Sequence, residues 1–148
     1  MIIYLDSSAI VKRYIEEAGT SAVNSLFSET NNIGTNLVAR AEVAAGFMRA
    51  ARIHLISRDD ALSALEKFRS EWESYQRLSV TEATVLRADD LVIQYDLRGY
   101  DAIHLAAAVI WQEAIGEIIT LATFDQKLWE AAKEYGIYAW PDEGTIIA

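Results

Sequence analysis

The chain has 148 residues, no cysteine, and a net charge of −9 from 13 basic and 22 acidic side chains. That length suits one domain, expected over 1–148, and such a chain buries about 68–70% of its unfolded surface without disulfide staples. With 52% hydrophobic and 24% charged residues, one proline and seven glycines, the composition excludes a disordered or fibrous chain, and the lack of thiols excludes disulfides, thiolate catalysis and the commonest zinc ligand.

The opening "MIIYLDSS" has no basic region and carries Asp6 inside its apolar start, so it does not read as a signal peptide. Its "IIYL" (2–5) suits a buried parallel strand, and Asp6, Ser7 and Ser8 then offer caps for the helical "AIVKRYIEE". Gly19 and Thr20 open a second helix reaching about Glu29, "NIGT" (32–35) is a weak strand, and Asn36 caps a long helix to about Ala51. Ser57 with Asp60 resembles a capping box, and the helix after it places Leu62, Leu65, Phe68, Arg69 and Trp72 near one side, running to Tyr75. "RLSV" (77–80) is a candidate strand, and Thr81 caps a helix to about Tyr95.

"LRGYDAIHLAAAVIW" (97–111) reads as a buried helix with a carboxylate, Asp101, at its mouth. It is interrupted by charge too soon to span a membrane. "GEIITLAT" (116–123) is the clearest later strand, Asp125 begins another helix, Gly136 ends it, and "IYAW" is the last strand. Strands separated by helices imply an α/β fold, a parallel sheet with helices on both faces in three layers, because parallel neighbours need crossover connections. A soluble cytoplasmic protein is expected.

In open parallel sheets, ligands bind outside the carboxyl ends of the strands. Asp6 and Asp125 each follow a strand there, though each also suits a helix cap. Glu42, in "NLVARAEVAAGFM", sits among small apolar residues where a solvated helix face would carry more charge; pairing with Arg40 or Arg49 is its ordinary explanation. Thr123 stands two residues before Asp125 and is able to orient a carboxylate. Clustered carboxylates repel, by about 4 kcal/mol for two charges at ~4 Å and an effective dielectric of 20. An all-oxygen cluster therefore calls for a hard cation, Mg²⁺ or Mn²⁺.

"YLDSSAIVK", "ARAEVAAGF", "YDAIHLAAA" and "TFDQKLWEAA", in that order, resemble the four acidic motifs of PIN domain ribonucleases, especially the VapC-type toxins of prokaryotic toxin–antitoxin pairs. The resemblance implies that Asp6, Glu42, Asp101 and Asp125 bind one or two divalent ions, Mg²⁺ or Mn²⁺, with Ser7 and Thr123 at hydroxyl positions close by. It also implies a PIN-like fold, an RNA substrate, a protein antitoxin and a homodimer. The chemistry expected is metal-assisted phosphodiester hydrolysis, which needs no side-chain nucleophile.

Setting those acids aside leaves 13 basic against 18 acidic residues and a net charge of −5, so RNA binding must be local. Lys12, Arg13, Arg40, Arg49 and Arg52 are candidates for that patch, each also explicable as a solvated helix charge. His104, one turn after Asp101, reads as a packed, hydrogen-bonded histidine rather than a general base; Trp72, Trp111, Trp129 and Trp140 are able to stack bases, but aromatics in amphipathic helices are usually core, and neither role is assigned to them. A haloacid dehalogenase-type phosphatase would want a second Asp at position 8, where Ser8 stands, and a response-regulator receiver would want paired early acids and a late lysine. The standing alternative is a non-catalytic interaction module whose acids are helix caps.

Overall fold

Strand and helix alternate from the first turn. In the computed structural model, which describes residues 1–142, the order is β1 (Ile2–Leu5), α1 (Ser7–Tyr14), α2 (Thr20–Glu29), β2 (Ile33–Asn36), α3 (Ala39–Arg52), α4 (Arg58–Glu71) and β3 (Gln76–Leu78). There follow α5 (Glu82–Tyr95), α6 (Gly99–Ile115), β4 (Ile119–Ala122), α7 (Gln126–Tyr135) and β5 (Tyr138–Trp140). Residues 143–148, part of the expected domain, lie outside the described residues. Every ladder is parallel, in the order β3-β2-β1-β4-β5.

β1 occupies the centre, and its alternation divides the core. Ile3 and Leu5 join the cluster built with α1 to α4, including Ile10, Val23, Phe47 and Phe68. Ile2 and Tyr4 join the opposite cluster with Leu91, Leu105 and Leu128 of α5, α6 and α7. Successive side chains of a strand point to opposite faces, so a strand apolar throughout is one covered on both sides. The three-layer expectation holds.

The boundaries follow local chemistry. Ser57 accepts the Asp60 N–H at the start of α4, Thr81 and Thr84 form a reciprocal capping box before α5, and Gly136 ends α7 at φ 105°. Two expectations need correcting. The buried stripe of α4 is Ala61, Ala64, Leu65 and Phe68, whereas Leu62 is 44% exposed and Arg69 faces solvent. Small alanines pack closely against the neighbouring helices and rotate the buried face away from Leu62. The helix also stops at Glu71, and a 3₁₀ turn over Trp72–Ser74 leads into β3, an edge strand whose first two residues are exposed.

The strand order makes β1 the switch point: the chain leaves it to build β2 and β3 on one side, then returns to place β4 and β5 on the other. A crevice opens there beyond the carboxyl ends of β1 and β4. α6 crosses behind the sheet, and Trp111 lies so close to β2 that a Cβ at Gly34 would stand 2.7 Å from its ring. Gly34→Ala is therefore expected to cost about 1–3 kcal/mol through overpacking. Urea unfolding would show a lower midpoint; an unchanged midpoint would contradict this packing.

Candidate functional site

Four acids reach one cleft at the carboxyl edge of the sheet. Asp6 leaves β1, Asp125 follows β4, and Glu42 and Asp101 sit in the first turns of α3 and α6. They line an open cavity of about 480 Å³ together with Ser7, Ser8, Arg49, Arg52, Arg98 and Tyr100.

Asp6 is 2% exposed and both of its oxygens are engaged. Oδ1 accepts the Ala9 N–H at 2.9 Å, capping α1; Oδ2 accepts a short hydrogen bond from the Thr123 hydroxyl. Ser8 Oγ lies 2.7 and 2.9 Å from the two oxygens, and accepts the Phe124 N–H at 3.0 Å. Burial pushes the Asp6 carboxyl above its usual range, opposed by the donors Thr123, Ala9 and Ser8. Asp125 is divided in the same manner. Its Oδ1 caps α7 by accepting the Leu128 N–H at 2.9 Å, and its Oδ2 accepts Arg98 Nη2 at 3.1 Å.

Glu42 and Asp101 cap nothing. The residue before α6 is Arg98, and the Asp101 carboxylate turns to it, Oδ2 accepting Arg98 Nε at 3.1 Å. Burial and the neighbouring Asp125 push the Asp101 carboxyl up, against the pull of Arg98. Glu42 pairs with neither Arg40 nor Arg49: His104 Nε2 lies 2.8 Å from its Oε1, and Ser7 donates to its Oε2 at 3.3 Å. His104, 1% exposed, is the packed histidine that was expected, and Trp72, Trp111 and Trp129 are core.

The candidate cations separate. Arg49 and Arg52 border the acids, spaced along the face of α3 that also presents Glu42. Lys12 instead donates to Glu17 and to the Ala18 carbonyl and lies over the Phe124 ring. Arg13 binds Asn24 and covers Phe27, and Arg40 covers Trp72; none of the three lines the cleft. Sequence reasoning passed over Arg98 and Ser8. The spacing of Arg98 to Asp101 is a readable i,i+3 pair, but its reach to Asp125 depends on the strand order.

All four acids are oxygen donors, the set a hard divalent cation prefers. As the side chains stand, no three His, Asp or Glu groups among the described residues enclose a common point. The reason is their present partners: Arg98 spans Asp101 and Asp125, His104 holds Glu42, and hydroxyls hold Asp6. The Arg98 side chain is 80% exposed, and an exposed ion pair of this kind is worth about 0–1 kcal/mol. The donor chemistry is of the kind Mg²⁺ or Mn²⁺ takes, and the Arg98 guanidinium meets the negative charge of Asp101 and Asp125 in the cleft.

A mainly apolar cavity adjoins the cleft through Gly46 and Arg49 and is walled by Val11 of α1, by Ile15, Glu16 and Glu17 just after it, and by Ala50, Ile53, Leu55 and Ile56 at and beyond the end of α3. Its walls are α1 and α3, with no residue of α4 lining it. Among the described residues no helix is long and apolar enough to cross a membrane.

The PIN domain model matches residues 3–134. Ribonuclease VapC46 of Mycobacterium tuberculosis is 32% identical over 142 residues, covering 91% of this chain and 93% of its own; ribonuclease VapC3 of Pyrobaculum aerophilum is 32% identical, covering 82% and 89%. Among solved structures, FitAcB from Neisseria gonorrhoeae superposes with a TM-score of 0.68 at 17% identity, covering 95% of this chain and 97% of its own. VapBC2 from Rickettsia felis, bound to a promoter DNA fragment, gives 0.61 at 15% identity over 95% and 100%.

Asp6 and Asp101 both shift upward, so the folded metal-free protein holds these protons more tightly than the unfolded chain does. Their contribution is greatest at acid pH and is lost as pH rises from the ordinary carboxylate range through the raised values. Asp101→Asn removes one such group. The metal-free variant should melt above wild type at pH 7, with the gap closing below about pH 4; a variant melting below wild type at neutral pH would contradict the shift.

Proposed function

This chain belongs to the PIN domain family and, within it, to the VapC ribonucleases, and from that premise we propose that it is a metal-dependent ribonuclease, the toxin of a toxin–antitoxin pair, acting in the cytoplasm as a single domain over 1–148. The observation that carries the catalytic reading is that Glu42 and Asp101 reach the cleft without capping any helix. Side-chain capping accounts for Asp6 and Asp125 but for neither of these two, whose carboxylates turn to the cleft and its lining instead.

Asp6, Glu42, Asp101 and Asp125 would hold Mg²⁺ or Mn²⁺. When bound, the ion supplies a Lewis acid that activates water and offsets charge developing on the phosphate. The protein's own work is placement. Thr123 and Ser8 fix Asp6, Ser7 and His104 fix Glu42, and the helix-capping bond of Asp125 leaves its second oxygen turned to the cleft. Arg49 and Arg52 supply positive charge at the rim to hold RNA phosphates in an otherwise acidic protein. Arg98, once displaced from Asp101 and Asp125, remains beside the reacting phosphate as a third cation.

The inhibitor of this reading is a protein antitoxin, and the assembly is a homodimer. The apolar cavity between α1 and α3 offers that antitoxin a surface continuous with the acids, where an apolar helix would seat.

Purified protein should cleave RNA in Mg²⁺ or Mn²⁺ and stop on chelation, with Glu42→Gln and Asp125→Asn reducing the rate by orders of magnitude while remaining folded. Wild-type rates in both variants would remove the acids from the mechanism. Binding of single-stranded RNA to the inactive Glu42→Gln protein isolates the arginines. Adding Arg52→Ala should weaken it and reduce the slope of log affinity against log salt by about 0.7–1, the worth of one phosphate contact. An unchanged slope would place the RNA elsewhere.

A further inference from the structure

Beneath Glu42 lies a buried chain of polar groups drawn from three elements. Tyr4 ends on the α6 side of β1, Asn36 closes β2 and His104 belongs to α6; Tyr4 and Asn36 are fully buried and His104 almost so. Asn36 Oδ1 accepts the Ala39 N–H at 3.1 Å. That bond sets the amide, and it turns the Nδ2 donor toward Tyr4 Oη at 2.9 Å and His104 Nδ1 at 3.2 Å. Tyr4 Oη, receiving the Asn36 N–H, lies 2.8 Å from His104 Nδ1. Burial pushes the Tyr4 phenol far up, lowered in part by Asn36 and raised by Asp6, so the hydroxyl keeps its proton.

Two donors thus converge on one ring nitrogen. Nδ1 is then the bare acceptor, for a proton there would face the Asn36 amide hydrogens and turn the Tyr4 hydroxyl proton away from its 2.8 Å partner. The imidazole proton then belongs on Nε2, 2.8 Å from Glu42 Oε1.

We propose that Tyr4 and Asn36 lock His104 in the Nε2–H tautomer, making it a positioning residue that presents a permanent donor to Glu42 and holds that carboxylate toward the cleft. Asn36 serves twice, since the bond to Ala39 that orients its amide also anchors the first turn of α3, from which Glu42 projects. Ser7 fixes the other oxygen of the same carboxylate. The opposite tautomer would set a bare Nε2 lone pair against the Glu42 carboxylate and free it to turn. The tautomer lock stands on geometry alone; its effect on catalysis rests on Glu42 serving the proposed metal site.

Long-range ¹⁵N–¹H correlation spectra of the wild-type imidazoles test the lock without any substitution. The expected pattern for His104 is a protonated Nε2 and an unprotonated Nδ1; an Nδ1–H pattern, or averaging between the two, overturns it. Two variants then test its consequence. In His104→Gln the side-chain amide reaches the position of Nε2–H and keeps a donor on Glu42, whereas in His104→Asn it falls short. Mn²⁺ affinity, read from the signal of free Mn²⁺ by electron paramagnetic resonance, should fall about 10–100-fold in the Asn variant and stay near wild type in the Gln variant, with KM for RNA unchanged in both. Equal effects in the two variants would reduce His104 to packing and overturn the positioning role. A wild-type protein that neither binds Mn²⁺ nor cleaves RNA would instead overturn the ribonuclease reading, while the spectra would still decide the tautomer.

Discussion

One buried carboxylate holds the site together. Asp6 sits where β1 ends, and its oxygens gather donors from the first turn of α1 and from Thr123 beyond β4. Its backbone N–H reaches the Ala122 carbonyl, so the same residue extends the pairing of the two strands whose carboxyl ends face the crevice. A carboxylate taken out of water is costly unless hydrogen-bonded. Those donors meet that requirement, and Thr123, one of them, also accepts the Asp125 N–H at 3.0 Å, tying a second acid to the same point.

The remaining charges answer the problem that Asp6 creates. Burial and the neighbouring Asp125 charge push the Asp101 carboxyl up, and Arg98 settles between the two aspartates as a local cation. Glu42 is held apart from this pair by His104 and Ser7. Three arginines ring the same cleft, which reconciles a net charge of −9 with a polyanionic substrate. Acids and cations share that cleft, and the overall sign of the protein describes neither.

Much of this was legible in the residues. The apolar runs predicted β1 and β4, Ser57, Thr81 and Gly136 predicted helix ends, and the cap chemistry of Asp6 and Asp125 was correct as far as it went. Capping does not use up either group, because a carboxylate has two oxygens and the helix N-terminus takes one. What stayed hidden depends on contacts far apart in the chain. Tyr4 and His104 are separated by 100 positions and Asn36 and His104 by 68, and only the strand order brings them together. Arg98 reads as a loop residue until Asp125 arrives from 27 positions away. The misjudged face of α4 has a local cause, since alanines carry little hydrophobic signal yet allow the closest packing.

We propose that these four acids form one hard-cation site from which Arg98 is displaced. Crystals grown in Mn²⁺ and measured at the manganese absorption edge test it most directly. The account predicts an anomalous peak in the cleft bounded by Asp6, Glu42, Asp101 and Asp125, with the Arg98 side chain turned away from Asp101 and Asp125. Saturating Mn²⁺ with no peak there, and Arg98 still bridging the two aspartates, would contradict it.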